Sequence, residues 1–270
     1  MNTDVHDFTD DYQTPEGRAG VFSSLFPNVS FYLRMALTVR HAAALSKKNC
    51  YDSQQWVRSS LRIVHALERA GGSVITENTK AFKAAQGPCV FIGNHMSTLE
   101  TFILPCIIQP HKDVTFVVKQ SLVEYPFFKH VLLTRNPITV TRTAPREDLK
   151  AVLEGGEQRL AQGLSIIVFP QSTRSYTLDR TLFNSIGIKL AKRAGVPVVP
   201  VALDTRAWGI GSLCKDFGSI RPSIPARFRF GDPITVHGTG KNEHAQVCDF
   251  IEDALTRWRT RPEDTQKTIE

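Results

Sequence analysis

The sequence predicts an α/β protein with a mostly parallel central sheet flanked by helices. From residue 74 onward, short apolar runs alternate with helix-length amphipathic segments. Two of the apolar runs, 164–169 and 197–202, are nearly continuous, as expected of strands whose two faces are both buried. The connections are short, which favours strands that lie side by side in one sheet.

The individual elements follow from these patterns. Residues 1–20 are polar and rich in Asp, Thr and Gly, so we expect a disordered or loosely attached tail. Two amphipathic helices are predicted next, over 29–47 and 54–70. Strands are expected near 74–77, 88–93, 114–118, 137–141, 164–169, 197–202 and 226–230. Further helices are expected near 97–109, 146–162, 184–194 and 242–259. The segment 204–225 is rich in Gly and Pro and predicts a long loop.

The composition restricts the class of protein. Of 270 residues, 41% are hydrophobic, which suits a globular protein and is too few for a polytopic membrane protein. The formal net charge of +7 favours polyanionic partners such as nucleic acid, anionic lipid surfaces or phosphorylated substrates. No helix-turn-helix, zinc-finger or RNA-recognition signature accompanies the charge, so no nucleic-acid partner is expected.

The five cysteines are scattered without a CxxC spacing, so neither a zinc site nor a disulfide framework is expected.

The segment 93–100 (GNHMSTLE) is the most informative motif of the chain. It follows a predicted strand and opens a predicted helix, which places His95 at the carboxyl edge of the sheet. A histidine backed by a carboxylate can take a proton from an alcohol, and Glu100 is close enough in sequence to supply that carboxylate. A second explanation stays open, because Ser97 and Glu100 also match a capping box in which the glutamate only caps the helix.

Three further strand ends carry basic or hydroxyl side chains. The segment 169–175 (FPQSTRS) follows a buried strand and offers the Arg174 guanidinium, which can bind a phosphate with two parallel hydrogen bonds. Arg142 and Lys119 each end a predicted strand. A solvated loop or strand end would explain each position taken alone. The carboxyl ends of parallel strands meet at one edge, where α/β proteins bind ligands. Together, the four strand ends predict a site that deprotonates a hydroxyl on a phosphorylated molecule.

With these motifs the chain resembles the glycerolipid acyltransferases of the 1-acyl-glycerol-3-phosphate acyltransferase type. That family carries an NHxxxxD motif, a strand ending in a basic residue, an FPEGTRS motif and a VPVVPVA-like strand, in this order. The corresponding segments here are NHMSTLE (94–100), ITVTR (138–142), FPQSTRS (169–175) and VPVVPVAL (196–203). Lys119 stands where the family has a lysine after a strand. The resemblance covers about residues 85–240 and implies a glycerol-3-phosphate acyltransferase-like fold.

The resemblance implies an O-acyltransferase of phospholipid biosynthesis and a role for each motif residue. His95 would be the general base, and Glu100 would orient its imidazole ring. The activated hydroxyl of lysophosphatidate would attack the thioester of acyl-CoA or acyl-carrier protein and give phosphatidate, with no metal, no other cofactor and no covalent acyl-enzyme. The acceptor phosphate would be bound by Arg142, Arg174, Lys119, Ser172 and Thr173. The motifs would be supported by Asn94, Gln171 and Ser175.

The chain departs from the family pattern at three positions. Glu100 replaces an aspartate, Gln171 replaces a glutamate and Ser172 replaces a glycine. Two alternatives therefore stay open: an acyltransferase for another lysophospholipid or an amino-acid lipid, and a catalytically weak lipid-binding homologue. A serine hydrolase is not expected, since the chain has no GxSxG elbow.

The resemblance also implies access to a membrane. The sequence has no uncharged apolar run of about 18 residues and begins with a polar, acidic segment, so neither a transmembrane helix nor a secretory signal is expected. We expect a peripheral or interfacial protein at the cytoplasmic face of a membrane, with two helices on its anionic surface and four arginines near the lipid phosphates: Arg34, Arg40, Arg58 and Arg62. The alternative is that both helices pack on the core.

The predicted units are a tail (1–20), a two-helix membrane-associating element (21–72), an acyltransferase domain (73–260) and a second tail (261–270).

Overall fold

The computed structural model describes residues 10–125, 129–171, 173–212 and 215–260. Within them, a seven-stranded sheet carries helices on both faces. The strands are β1 (Val74–Glu77), β2 (Val90–Gly93), β3 (Val114–Lys119), β4 (Ile138–Val140), β5 (Ser165–Val168), β6 (Val198–Asp204) and β7 (Ala226–Phe230). These are the strands that the apolar runs predicted, so the predicted α/β class is confirmed.

The six long helices also correspond to predicted segments. They are α2 (Pro27–Lys47), α3 (Ser53–Arg69), α5 (Leu99–Ile108), α8 (Pro145–Ala161), α9 (Ile186–Ala194) and α10 (Lys241–Arg259). Four helices that the sequence did not predict are α1 (Val21–Leu25), α4 (Lys80–Ala84), α6 (Gln120–Glu124) and α7 (Lys129–Leu133). Each of these has five residues, which is too short for a helical period to show. Between β6 and β7, the described residues form the predicted long loop, which contains an isolated bridge from Trp208 to Ile220.

The strand order is β1-β7-β6-β2-β5-β3-β4, and all neighbouring pairs are parallel except β6 and β7. The carboxyl-terminal residues of neighbouring strands lie close to one another. Ile92 is opposite Val168, and Lys119 is opposite Val140. The carboxyl ends of β2, β3, β4 and β5 therefore share one edge, as the prediction of a common site requires.

The sheet separates two apolar layers. Successive side chains of β2 point to opposite faces: Phe91 joins the layer that contains Phe31 of α2 and Trp56 of α3, and Ile92 joins the layer that contains Trp258 of α10. Both faces are thus covered, which explains why the strands are apolar almost throughout.

The segment 10–20 is not the loose tail that its composition predicted. Gln13 forms an isolated bridge with β1. Tyr12 is buried, and its hydroxyl donates to the carboxylate of Glu68 on α3 at 2.5 Å. These contacts tie the N-terminal segment to the sheet and to α3. The other predicted tail residues, 1–9 and 261–270, lie outside the described residues.

The two predicted N-terminal helices differ in what covers their apolar sides. For α3 the alternative holds, because its apolar side chains, Leu61 and Val64 among them, are buried in the core shared with α2 and α5. One side of α2, which includes Phe31 and Met35, joins the same core. The other side of α2, together with α1, leaves apolar side chains in solvent: Val21, Phe22, Leu25, Phe26, Val29, Leu33 and Leu37. None of the helices in the described ranges is both long and apolar enough to cross a membrane.

Candidate active site

The turn 94–98 between β2 and α5 holds His95 at the sheet edge. Asn94 anchors this turn to β6: its side-chain amide donates to the Leu203 carbonyl at 2.8 Å and accepts from the Leu203 N–H at 2.9 Å. The side chain thereby extends the pairing of β2 with β6 one residue beyond Gly93. The sequence predicted Asn94 as a supporting residue of this motif, and the two contacts describe how it acts on the turn.

His95 and Glu100 form a buried pair. The Nδ1 atom of His95 lies 2.8 Å from Oε1 of Glu100, and the two residues are 8% and 0% exposed. Residues five apart do not share a face of a continuous helix. The pair forms because His95 precedes α5 and Glu100 is in its first turn.

Glu100 also binds the turn that leads into its helix. Its carboxylate accepts from the Met96 N–H at 2.7 Å and from the N–H and the hydroxyl of Ser97 at 3.0 Å each. The hydroxyl of Thr205 donates to it at 2.5 Å. The glutamate therefore binds the turn and the histidine at the same time.

The predicted capping box is only partly formed. Glu100 accepts from the Ser97 N–H. The N-cap residue, however, is Thr98, which makes no side-chain cap, and the Ser97 hydroxyl accepts from the Leu99 N–H.

The electrostatics of the pair fix the histidine tautomer. Burial raises the pKa of the Glu100 carboxyl, but the hydrogen bond and charge of His95, with hydrogen bonds from Thr205 and Ser97, outweigh that effect, and the pKa lies below its ordinary value. An ionised carboxylate can only accept hydrogen bonds, so Nδ1 carries a hydrogen, and in the neutral form of the ring this fixes the tautomer. The lone pair then lies on Nε2, where a general base needs it.

The segment that follows β5 holds the histidine from the other side. The ring of Phe169 stacks on the imidazole with centroids 4.7 Å apart. Gln171 accepts from the His95 N–H at 2.7 Å through Oε1, and the Ser175 N–H donates to the His95 carbonyl at 2.9 Å. The change from glutamate to glutamine in this motif therefore keeps an acceptor oxygen in place and removes a negative charge.

Arg142, Arg174 and Lys119 line one cavity together with the histidine, as their strand-end positions predicted. Arg142 adopts a left-handed φ of 64°, and its N–H donates to Asp148 at 2.7 Å. Arg174 pairs through Nη1 with Asp216 at 2.6 Å. Partial desolvation and the nearby Arg174 guanidinium lower the pKa of Arg142, while Asp148 raises it. The positive charge of Arg174 thus acts on Arg142, and an anion bound at this wall of the cavity would offset that repulsion.

The cavity has a volume of about 620 Å³, and most of its other lining residues are apolar, chiefly side chains of the sheet and of helices α2, α3, α5, α7, α8 and α9. Phe102, Phe116 and Trp56 contribute to its wall. The Arg135 guanidinium also lines it and lies over the Trp56 ring at 5.4 Å. A space of this size and composition suits a ligand with a polar head and a long apolar part. Within the described ranges, no group of three or more His, Cys, Asp or Glu residues could hold a metal ion.

Some predicted residues are not brought together. Thr173 is exposed, and the Ser175 hydroxyl lies 3.3 Å from Thr177. Ser172 lies outside the described residues.

The sequence did not single out Thr205, which follows β6 at the same edge and could have been found by the strand-end argument. Asp216 lies within the long loop, where no spacing pairs it with Arg174.

The fold and the geometry define a class of protein: an α/β protein whose polar residues stand on the carboxyl ends of parallel strands, in the wall of a largely apolar cavity. The sequence model of the acyltransferase family matches residues 73–204. Residues 73–204 thus match an acyltransferase domain, which confirms the resemblance that the four motifs indicated.

Two relatives carry the same description, 1-acyl-sn-glycerol-3-phosphate acyltransferase. The protein from Pseudomonas aeruginosa is 36% identical over 167 residues, which cover 61% of this chain and 64% of that relative. The protein from Cocos nucifera is 29% identical over 165 residues, which cover 60% of this chain and 50% of that relative. The chain thus spans less than two thirds of the length of either.

The fold has a counterpart among solved structures. The 1-acyl-sn-glycerophosphate (LPA) acyltransferase PlsC from Thermotoga maritima superposes with a TM-score of 0.61 at 17% identity. The superposition covers 89% of this chain and 98% of that one. At this identity the similarity supports the fold, and the predicted acyltransferase-like architecture is confirmed.

Proposed function

We propose that this protein is an O-acyltransferase that converts lysophosphatidate to phosphatidate. The acyl donor is acyl-CoA or acyl-carrier protein, and the acceptor is the free hydroxyl of lysophosphatidate. The observation that carries the proposal is the 2.8 Å contact of His95 Nδ1 with Glu100, in a cavity wall that also contains two arginines. The descriptions of the relatives from Pseudomonas aeruginosa and Cocos nucifera support the choice of acceptor.

In the proposed reaction, His95 Nε2 takes the proton of the acceptor hydroxyl while the oxygen attacks the thioester carbonyl carbon. The new C–O bond gives a tetrahedral intermediate, which collapses when the C–S bond breaks. The imidazolium then returns the proton to the leaving thiolate. Glu100 stabilises the imidazolium and keeps Nε2 directed at the substrate, because its carboxylate holds the Nδ1–H.

The acceptor phosphate binds at the two guanidiniums. Arg142 and Arg174 line the cavity beside the general base, and a phosphate dianion offsets their mutual repulsion. Lys119, at the end of β3, adds a third positive charge to this wall. Ser172 and Thr173, which follow β5, remain candidates for further hydroxyl donors. The apolar part of the cavity accommodates a fatty acyl chain.

The membrane contact is assigned to α1 and one side of α2. Val29, Leu33 and Leu37 recur every four residues, so they share one face of α2, and each is more than half exposed. Arg34 and Arg40 are exposed on the same helix. An apolar face flanked by basic residues suits the interface of an anionic membrane, and we propose its cytoplasmic face.

The test is acyl transfer by the purified full chain with acyl-CoA and lysophosphatidate in mixed micelles. We expect His95→Ala to lower kcat by about 1,000-fold or more, because the general base is lost. His237→Ala removes an exposed histidine that precedes α10 and is the matched control with unchanged activity. Full activity in His95→Ala would contradict the mechanism.

Two other functions remain to be separated by the same assay. An acceptor panel of lysophosphatidate, lysophosphatidylglycerol, lysophosphatidylethanolamine and a lyso amino-acid lipid identifies the head group. A catalytically weak lipid-binding homologue is indicated if the unmodified chain binds these lipids but transfers no acyl group from either donor.

A further inference from the structure

The ion pair of Arg174 with Asp216 has no role in the proposed reaction, although it lies within the site. Asp216 Oδ1 is 2.6 Å from Arg174 Nη1, and both residues line the cavity that contains His95. Carboxylate and phosphate oxygens bind a guanidinium in the same way. Asp216 therefore occupies a position on Arg174 that a phosphate oxygen could take.

The carboxylate is an incomplete partner for this arginine. Arg174 Nε is buried and has no hydrogen-bond acceptor among the described residues. A buried donor without an acceptor costs free energy, which a ligand with more oxygens can recover. A phosphate, with three terminal oxygens, can engage Nε in addition to Nη1.

The backbone around Asp216 is held independently of this ion pair. The Asp216 carbonyl accepts from the Thr98 hydroxyl at 3.1 Å, and the Gly218 carbonyl accepts from the Tyr32 hydroxyl at 2.5 Å. The Asp216 side chain is 40% exposed, so water can solvate its carboxylate after a rotation. Arg174 Nη1 also donates to the Lys215 carbonyl of this loop, at 3.3 Å. A phosphate oxygen can thus replace the Asp216 carboxylate by a movement of that side chain alone, while this contact and the loop stay in place.

We propose that the Asp216 carboxylate is an internal stand-in for the acceptor phosphate: it occupies Arg174 in the ligand-free protein and must be displaced before the acceptor binds. The ion pair neutralises Arg174 while the site is empty and weakens the apparent affinity for every phosphate-bearing ligand by the same factor. Because this rests on the proposed function, it is tested by direct binding as well as by catalysis.

The first experiment measures binding of sn-glycerol 3-phosphate by ligand-observed NMR. We expect Asp216→Asn and Asp216→Ala to tighten the dissociation constant by about twofold to fivefold, the range expected for loss of a partly exposed ion pair. The KM for lysophosphatidate should fall by the same factor. Asp253→Asn removes an equal charge from an ion pair with Arg257 on α10, and we expect unchanged binding there.

A double-mutant cycle shows whether the effect passes through Arg174. In an Arg174→Gln background, Asp216→Asn should leave the affinity unchanged. Unchanged or weaker binding in the single Asp216 variants would overturn the proposal, because Asp216 would then position Arg174 for the ligand. Equal tightening in Asp253→Asn or in the Arg174→Gln background would also overturn it, since the cause would be overall charge. If Arg174→Gln binds too weakly to measure, the comparison with Asp253→Asn shows whether the tightening is specific to Asp216 or follows from overall charge.

The two proposals fail separately. Tighter probe binding in the Asp216 variants, without acyl transfer by the unmodified chain, keeps the stand-in and rejects the acyltransferase. Acyl transfer with a KM and a dissociation constant that do not respond to Asp216 keeps the acyltransferase and rejects the stand-in.

Discussion

Glu100 gathers five hydrogen-bond donors around one carboxylate. They are His95 Nδ1, the Met96 N–H, the N–H and hydroxyl of Ser97, and the Thr205 hydroxyl. A glutamate in the first turn of α5 reaches all of them from one position. The residue that departs from the NHxxxxD pattern is thus matched by its surroundings, and its extra methylene is part of how the pair forms.

This geometry predicts the effect of restoring an aspartate. Glu100→Asp draws the carboxylate back by about 1.5 Å, the length of one C–C bond, so it can no longer reach His95 and Thr205 together. We expect kcat to fall by about 10-fold to 100-fold, since misplacement of about 1 Å can cost about 100-fold. Steady-state kinetics with lysophosphatidate measure the change. Glu157→Asp shortens a surface partner of Arg193 and is the control. A preserved or higher rate in Glu100→Asp would mean that the glutamate is merely tolerated.

The two faces of helix α2 differ in burial. Phe31 is fully buried and packs edge-on against Trp208 with ring centroids 4.9 Å apart. Leu33, two residues further, is 60% exposed. One face attaches the helix to the core, and the other is exposed and is the face that we propose contacts a membrane.

Substitutions on the two faces of α2 should have opposite consequences. Phe31→Ala should lower the free energy of unfolding by about 3–5 kcal/mol, because a cavity replaces a buried ring. Leu33→Ala should change it by less than about 0.5 kcal/mol. Denaturant titration measures both values. Vesicle binding should depend on the other face. Leu33→Glu should weaken vesicle binding, whereas Phe31→Ala should leave vesicle binding unchanged while the protein remains folded. Equal stability losses at the two positions would contradict this division of α2.

At the scale of the whole molecule, the net charge of +7 and the exposed apolar side chains favour the same kind of surface. Basic residues near an anionic bilayer contribute about 1 kcal/mol each, and salt screens that contribution. Apolar insertion is much less sensitive to salt. The two contributions can therefore be separated by ionic strength.

Vesicle sedimentation provides the corresponding measurement. We expect the bound fraction to be higher on vesicles that contain anionic lipid than on neutral ones, and to fall between about 0.05 M and about 0.5 M salt. Replacing Arg34 and Arg40 by Gln should reduce the preference for anionic lipid, whereas Arg257→Gln, on α10, should not. Binding that ignores both lipid charge and salt would show that the basic residues do not contribute.

The sequence determined the strands, the long helices and the location of the site. Apolar runs define strands because burial on both faces excludes polar side chains, and the rule that parallel strands end at one edge located His95, Lys119, Arg142 and Arg174. These inferences use spacing over a few residues, which the sequence shows directly. The four ordered motifs then added the resemblance to the acyltransferases.

Only the tertiary structure decided which distant residues meet and what covers each apolar face. Thr205 is 105 positions from Glu100, and Asp216 is in an aperiodic loop, so no local pattern pairs them with their partners. Amphipathic spacing shows that α2 and α3 each have an apolar side, but protein and lipid cover such a side equally well. Burial of α3 in the core and exposure of one side of α2 depend on long-range packing, and periodicity alone carries no information about it.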